Sequence, residues 1–216
     1  GKGTFTDKNG NKYVGEWKND WKEGKGTYTW FNGDKYVGEY KKNVRDGFGK
    51  YYYSDGNYYE GEWSEGYENG KGVFIWADGD KYEGDFEDGN RAGKGKYVYE
   101  SGTVYQGDFK NNTAEGNGVI VYAGGDTYKG EFLDGVEHGK GVYKFENGDV
   151  YTGQFDEGYM HGKGKMVYAN GEVYDGLWED GEQAEGKTTL AKHTTNEKYY
   201  ALIIGNNDYQ KLEDLD

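Results

Sequence analysis

A Gly-x-Gly pair returns every 23 residues, at Gly1, Gly24, Gly47, Gly70, Gly93, Gly116, Gly139 and Gly162, with no insertion between copies. A strict period of this length restricts the chain to a repeat architecture, in which one small unit cannot bury its apolar face alone and leans on the next. Twelve positions into each unit lies Tyr: Tyr13, Tyr36, Tyr59, Tyr82, Tyr105, Tyr128, Tyr151 and Tyr174. Two positions on lies Gly, and two beyond that another aromatic: Trp17, Tyr40, Trp63, Phe86, Phe109, Phe132, Phe155, Trp178. Eight copies fill residues 1–184.

Each unit reads as two short strands, because its apolar residues alternate with period 2. The first passes through residues such as Gly26, Tyr28 and Trp30, the second through Tyr36, Gly38 and Tyr40. Between them sits a turn such as Asn9-Gly10, Asn32-Gly33 or Asp55-Gly56, which supplies the positive φ a hairpin needs. A two-residue loop on Asn9-Gly10 would put Phe5 and Tyr13 on opposite faces. A three-residue loop ending in the glycine pairs odd positions with odd ones: Phe5 faces Tyr13, Gly3 faces Gly15 and Gly1 faces Trp17. One shared aromatic face outweighs a turn preference, so the three-residue loop is expected.

Hairpins in series give an all-β fold, a single-layer antiparallel β-meander. Sixteen strands at about 4.8 Å spacing would make a ribbon roughly 75 Å long, twisted and curled over its aromatic face. Composition supports stacked rings over an aliphatic core. Hydrophobic residues make up 33% of the chain, and more than half of them are aromatic, at 18%. Low apolar content with a net charge of −14 also suits disorder, but disordered segments are poor in aromatics, and this chain has 24 Tyr, 9 Phe and 6 Trp.

The pattern resembles the MORN family (membrane occupation and recognition nexus), whose motif is Tyr-x-Gly-x-Trp, a spacer, then His-Gly-x-Gly. Matching residues include Tyr36-Val37-Gly38-Glu39-Tyr40 and His138-Gly139-Lys140-Gly141. The resemblance implies single-layer β arrays that act as assembly modules in ciliary, junctional and cytoskeletal proteins, or beside kinase, methyltransferase or exchange-factor domains. It therefore implies a cytoplasmic setting, with cytoskeletal or ciliary association as its narrower form.

Acidic residues outnumber basic ones 40 to 26 with no basic run, which excludes a phosphate-backbone partner and argues against an anionic membrane surface. A lipid-binding module remains the weakest of three readings. Without Cys, disulfides and cysteine-ligated metals are out. No catalytic, cofactor or metal site is expected. His138 and His161 share one repeat position, read as a polar place in an inter-hairpin loop, and His193 stands alone in a linker. Gly181 to Thr188 fits the phosphate-loop pattern GxxxxGKT, yet that chemistry needs a buried parallel strand before it and a helix after it, so the match reads as an accident of the repeat. Acidic residues beside the strand glycine (Glu16, Glu39, Glu62, Asp85, Asp108, Glu131) read as a ladder facing away from the rings. Its role is either a solvated face balanced by lysines or a docking surface for a basic partner or Ca²⁺.

The aromatic face is the candidate interaction surface: Tyr13, Trp17, Tyr28, Trp30, Tyr36, Tyr40, Tyr59, Trp63, Trp76, Tyr82, Tyr105, Tyr128, Tyr151, Tyr174 and Trp178. Three or four rings per repeat either disappear inside a curled sheet or stay open to a partner. Protein partners are expected, self-association among them. Beyond the array, residues 185–198 read as a linker. Residues 199–216 contain the one unbroken apolar run, Tyr199-Tyr200-Ala201-Leu202-Ile203-Ile204-Gly205, followed by Asn206-Asn207-Asp208-Tyr209 and the spaced Leu212 and Leu215. Such a run is typical of a buried parallel strand. It resembles the first strand of caspase-like and metacaspase-like cysteine peptidases, which implies the truncated start of an α/β domain. That family's His and Cys lie downstream of this strand, and this chain holds no Cys. The chain also starts inside a repeat, at Gly1, and reads as a piece of something longer. Two functions follow, an interaction scaffold and the targeting or regulatory arm of such a peptidase, and they are compatible.

Overall fold

The computed structural model describes residues 1–190, 193–195, 198–200, 202–205 and 208–211. The protein is all-β, with no helix among the described residues. Its chain forms two compact units, Gly1–Thr113 and Ala114–Asp216. The first holds β1 (Lys2–Thr6), β2 (Lys12–Lys18), β3 (Trp21–Thr29), β4 (Lys35–Lys41), β5 (Val44–Tyr52), β6 (Tyr58–Ser64), β7 (Tyr67–Ile75), β8 (Lys81–Glu87), β9 (Asn90–Val98) and β10 (Val104–Lys110). The second is built on β11 (Thr113–Val121), β12 (Thr127–Leu133), β13 (Val136–Lys144), β14 (Val150–Asp156), β15 (Tyr159–Val167), β16 (Glu172–Glu179) and β17 (Glu182–Leu190). Within each unit every strand pairs antiparallel with its sequence neighbours.

The hairpin loop has three residues, as the face argument requires. Phe5 pairs with Tyr13 and Gly3 with Gly15. The Gly10 N–H donates to the Asp7 carbonyl at 3.1 Å, and the Asp7 N–H to the Asn11 carbonyl at 3.0 Å. Gly10 closes the loop at φ +91°, the left-handed conformation a bulged three-residue loop needs.

A second turn type, absent from the sequence reading, joins one repeat to the next. Lys18 pairs directly with Trp21, which leaves a two-residue loop, Asn19-Asp20, with φ of 50° and 61°. Two consecutive positive φ values define the turn whose twist matches the flanking strands. Lys42-Asn43, Glu65-Gly66 and Asp88-Gly89 repeat it. In every repeat after the first, the first strand therefore starts three residues before the Gly-x-Gly and runs nine residues, as β3 does.

Opposite Glu16, β3 carries extra residues: the pairing steps from Gly15↔Gly26 to Trp17↔Lys22. Gly24, the first glycine of its pair, lies in this bulge at φ +74°. A bulge lets the rings of one strand keep facing inward after the register changes.

The turns are also tied from repeat to repeat. Asp34 accepts the Ser54 N–H at 2.8 Å and the Tyr51 hydroxyl at 2.9 Å; Asp80 accepts the Glu100 N–H at 2.8 Å and the Tyr97 hydroxyl at 2.6 Å. In the second unit Asp126 does the same for Glu146 and Tyr143. Those carboxylates thus serve as fixed acceptors between neighbouring loops.

Residues 185–190 differ from the linker expected there. They continue β17, where Gly186 pairs with Gly176 and repeats the glycine pairing of the array. Gly181 to Thr188 accordingly occupies a tight turn and an antiparallel strand, whose backbone groups are spent on β16. Within 199–216, Leu202–Gly205 pairs antiparallel with Asp208–Lys211, and residues 201, 206–207 and 212–216 lie outside the described residues. The expected caspase-like fragment therefore falls partly outside them.

Candidate functional site

Two rows of rings share one face of the sheet and behave differently. The inner row is built on the Tyr twelve positions into each repeat. Gly15 and Gly26 sit opposite each other, and the Tyr13 ring lies across both: a Cβ on Gly26 would come within 2.4 Å of that ring. Only a glycine pair lets a ring lie this close to the backbone. The Tyr13 hydroxyl then donates to the Glu16 carbonyl at 3.0 Å, so the ring's polar end is satisfied. Tyr36, Tyr59, Tyr82, Tyr128 and Tyr151 repeat the arrangement, each fully buried, with Tyr105 and Tyr174 nearly so.

Between successive tyrosines sits the next aromatic of the motif. Tyr40 lies edge-on to both Tyr13 and Tyr36, at 5.3 and 5.2 Å between ring centres. Trp63 does the same between Tyr36 and Tyr59, and Phe86 between Tyr59 and Tyr82. In the second unit Phe155 bridges Tyr128 and Tyr151, and Trp178 bridges Tyr151 and Tyr174. Each edge-to-face pair is worth about 0.5–1.5 kcal/mol beyond its burial. Burial raises the hydroxyl pKa of Tyr36, Tyr59, Tyr82, Tyr128 and Tyr151, for Tyr151 to about 12.

The outer row lies at the end of each nine-residue strand, beside the three-residue loops. In the first unit it runs Tyr28, Trp30, Tyr51, Tyr53, Phe74, Trp76, Tyr97, Tyr99. Adjacent ring centres are 4.3–5.7 Å apart, and the rings are tilted rather than edge-on. This stripe is more open than the inner row, apart from Tyr51, which is buried. Trp30 and Trp76 are half-buried, and Tyr99 is exposed. The Trp63 indole donates to the Gly49 carbonyl, but among the described residues neither the Trp30 nor the Trp76 indole N–H has an acceptor. Arg45 lies over Trp63 at 4.2 Å, and Arg91 between Trp76 and Tyr97 at 5.3 and 5.0 Å.

The family model for the MORN repeat matches residues 1–12, 13–35, 36–58, 59–81, 82–104, 105–127, 128–150 and 151–173. The chain belongs to the MORN repeat family. Each matched segment after the first begins on the buried Tyr. No curated protein matches the chain. Among solved structures it is similar to the TCP domain of Drosophila melanogaster SAS-4 (dCPAP), solved in complex with a proline-rich motif of Ana2 (dSTIL). Identity there is 18% and the TM-score 0.41, over 79% of this chain and 90% of that one. It is also similar to the TCP10 domain of Danio rerio CPAP, at 18% identity and a TM-score of 0.33, over 85% of this chain and 98% of that one. At these values neither likeness bears on a ligand or partner of this protein.

The MORN geometry divides the fifteen candidate residues. Tyr13, Tyr36, Tyr40, Tyr59, Trp63, Tyr82, Tyr105, Tyr128, Tyr151, Tyr174 and Trp178 are buried between ring and glycine backbone, and Trp17 is half-buried. Tyr28, Trp30 and Trp76 belong to the outer stripe. Sequence reading missed the stripe's other members, Tyr51, Tyr53, Phe74, Tyr97 and Tyr99. Their signal was present, since each lies 23 residues from its counterpart.

The acidic ladder lies on the opposite face, with two local duties. Asp85 pairs with Lys71 at 2.6 Å and also accepts the Lys94 N–H at the bulge, at 3.0 Å; Asp108 pairs with Lys94 at 2.5 Å. Glu39 reaches the bulge N–H of Phe48, and Glu131 that of Lys140. His138 and His161 lie in β13 and β15, immediately before the bulge glycine, rather than in a loop. His138 sits 3.2 Å from Asp156 at the surface.

Among the described residues one carboxyl is buried: Glu137, which accepts the Tyr122 hydroxyl beside the second unit's ring row. Burial raises its pKa above the ordinary 4.5, partly offset by its own backbone N–H. A carboxyl raised in this way binds its proton more tightly folded than unfolded. Stability therefore falls as pH rises from the unfolded pKa through the folded one, and stays lower above it. Glu137→Gln is expected to melt higher than the parent at pH 7 and to converge with it below the usual carboxylate range. Melting curves at both pH values check this, and equal midpoints at pH 7 would refute it.

Proposed function

We propose that this MORN array is a protein-interaction scaffold that docks its partner on the outer aromatic stripe. The observation that carries the reading is the contrast between the rows. The inner rings are spent on glycine backbone, whereas the stripe leaves stacked rings half-open, with two indole donors unpaired. Apolar surface left uncovered beside solvent-facing donors is typical of an interaction site.

A photo-reactive residue placed at Trp76 in the intact protein tests this, compared with one at Lys71 on the opposite face. Partner crosslinks are expected from Trp76. Crosslinks from Lys71 alone would move the docking surface to the other face and overturn the reading.

The parent protein is proposed to carry a caspase-like cysteine peptidase domain that the array targets or regulates, on the resemblance of Tyr199 to Tyr209. Attack on a peptide carbonyl needs a thiolate and a base beside it. The sequence following Asp216 must then supply a Cys and a His at the ends of parallel strands. If it supplies neither, a scaffold without peptidase activity remains.

A further inference from the structure

The first unit's outer stripe has a spacing that selects among the forms a bound chain segment can take. Successive ring pairs (Tyr28–Trp30, Tyr51–Tyr53, Phe74–Trp76) lie one repeat apart, which is two strands, or about 9.6 Å. A segment crossing the strands must show the same face at that interval. An extended β-strand repeats its face about every 6.8 Å, and one interval later its side chains are out of step. An α-helix returns near the same face after seven residues, about 10.5 Å, and its backbone groups are already bonded internally. A polyproline II helix repeats every three residues, about 9.3 Å, and leaves all its carbonyls free.

Two further features agree with the third form. Trp30 and Trp76 are two repeats apart, about 19 Å across four strands, and the carbonyls of polyproline II residues six apart are separated by about the same distance. Their indole N–H groups have no acceptor among the described residues, and such donors bind free carbonyls. The loops bordering the stripe carry Asp34, Asp55, Asp78, Asp80 and Glu100, while the only base in these loops is Lys8 of the first. Basic residues flanking the prolines would therefore meet an acidic rim.

We propose that this stripe binds a proline-rich segment in the polyproline II form, its prolines seated on the ring pairs at every third position and its Lys or Arg residues against the loop edge. The proposal rests on the stripe being the docking surface, and names the chemistry of what docks there.

The probe is a synthetic twelve-residue peptide with proline at every third position and arginines between, titrated into the 216-residue chain and followed by calorimetry. Three control peptides accompany it: the same composition scrambled, glutamate in place of arginine, and an alanine-rich helical peptide. Binding is expected for the first peptide alone. Trp76→Ala should weaken it roughly tenfold, the loss of one anchoring ring, with the melting midpoint lowered by no more than a few degrees. Trp76→Phe, which keeps a ring and removes the N–H, should weaken it less than Trp76→Ala but measurably. Equal binding of the scrambled or helical peptide, no binding at all, or binding indifferent to Trp76→Ala overturns the proposal. If the peptide fails while photo-crosslinks from Trp76 persist, the docking surface stands and only its polyproline occupant is rejected. If both fail, the docking reading falls with it.

Discussion

Gly61→Ala is expected to destabilise the first unit by about 3–5 kcal/mol, as much as removing a large buried side chain. A single methyl carries this effect because of where it would go. An added Cβ at Gly61 would lie 2.4 Å from the Tyr59 hydroxyl oxygen, 2.6 Å from the Gly72 Cα and 2.6 Å from the Lys71 carbonyl oxygen. Two of these atoms are backbone of the neighbouring strand, so neither a rotamer change nor a small side-chain shift relieves the clash. The strands must separate or Tyr59 must leave its bed, and Tyr59 is fully buried. Gly171→Ala provides the contrast within the same protein. Gly171, unlike Gly61, has a positive φ, +89°, and nothing lies within 4 Å of its added Cβ. Only the backbone preference is lost there, about 1–2 kcal/mol. Urea denaturation of both variants checks the pair. If Gly61→Ala costs no more than Gly171→Ala, the glycine bed is not what fixes the tyrosine row.

The hairpin register was legible because one choice of loop length gathers Phe5, Tyr13 and Trp17 on a single face and the other scatters them. The turns between repeats were not legible in the same way. Asn19-Asp20, Lys42-Asn43, Glu65-Gly66 and Asp88-Gly89 vary in identity, and only their shared positive φ unites them. The bulge was less accessible. It depends on how Glu16 and Gly24 meet across two strands, and binary patterning does not distinguish a glycine that bends a strand from one that receives a ring. That distinction decides which aromatics are open. Tyr13 and Tyr28 look alike in sequence and face each other in the sheet, yet Tyr13 covers the Gly15–Gly26 pair while Tyr28 stacks on Trp30. The acidic ladder follows the same logic: Glu39 reads as a surface charge until the Gly47 bulge beside it supplies an N–H at Phe48.

Trp63→Ala is expected to cost about 3 kcal/mol or more, in the range for a large buried aromatic. Trp63 is 3% exposed and stands edge-on to Tyr36 and Tyr59, which belong to successive repeats. Arg45 lies over its ring, and its indole N–H donates to the Gly49 carbonyl at 3.3 Å. Truncation therefore empties a cavity, strips both tyrosines of one edge-to-face partner and leaves the Arg45 guanidinium without its platform. Because repeats stabilise one another through their shared contacts, the loss should not stay local. Amide exchange in β4 to β7 is expected to quicken together, ahead of β9 and β10. Trp30→Ala, on the half-open stripe, should cost about 1 kcal/mol or less by comparison, since much of that ring is never removed from water. Equal losses for the two tryptophans would mean that the rows are not divided into one that holds the fold and one that is free to bind. A loss below about 0.5 kcal/mol for Trp63→Ala, no more than a neutral surface substitution gives, would place its ring at the surface, where the structure does not put it.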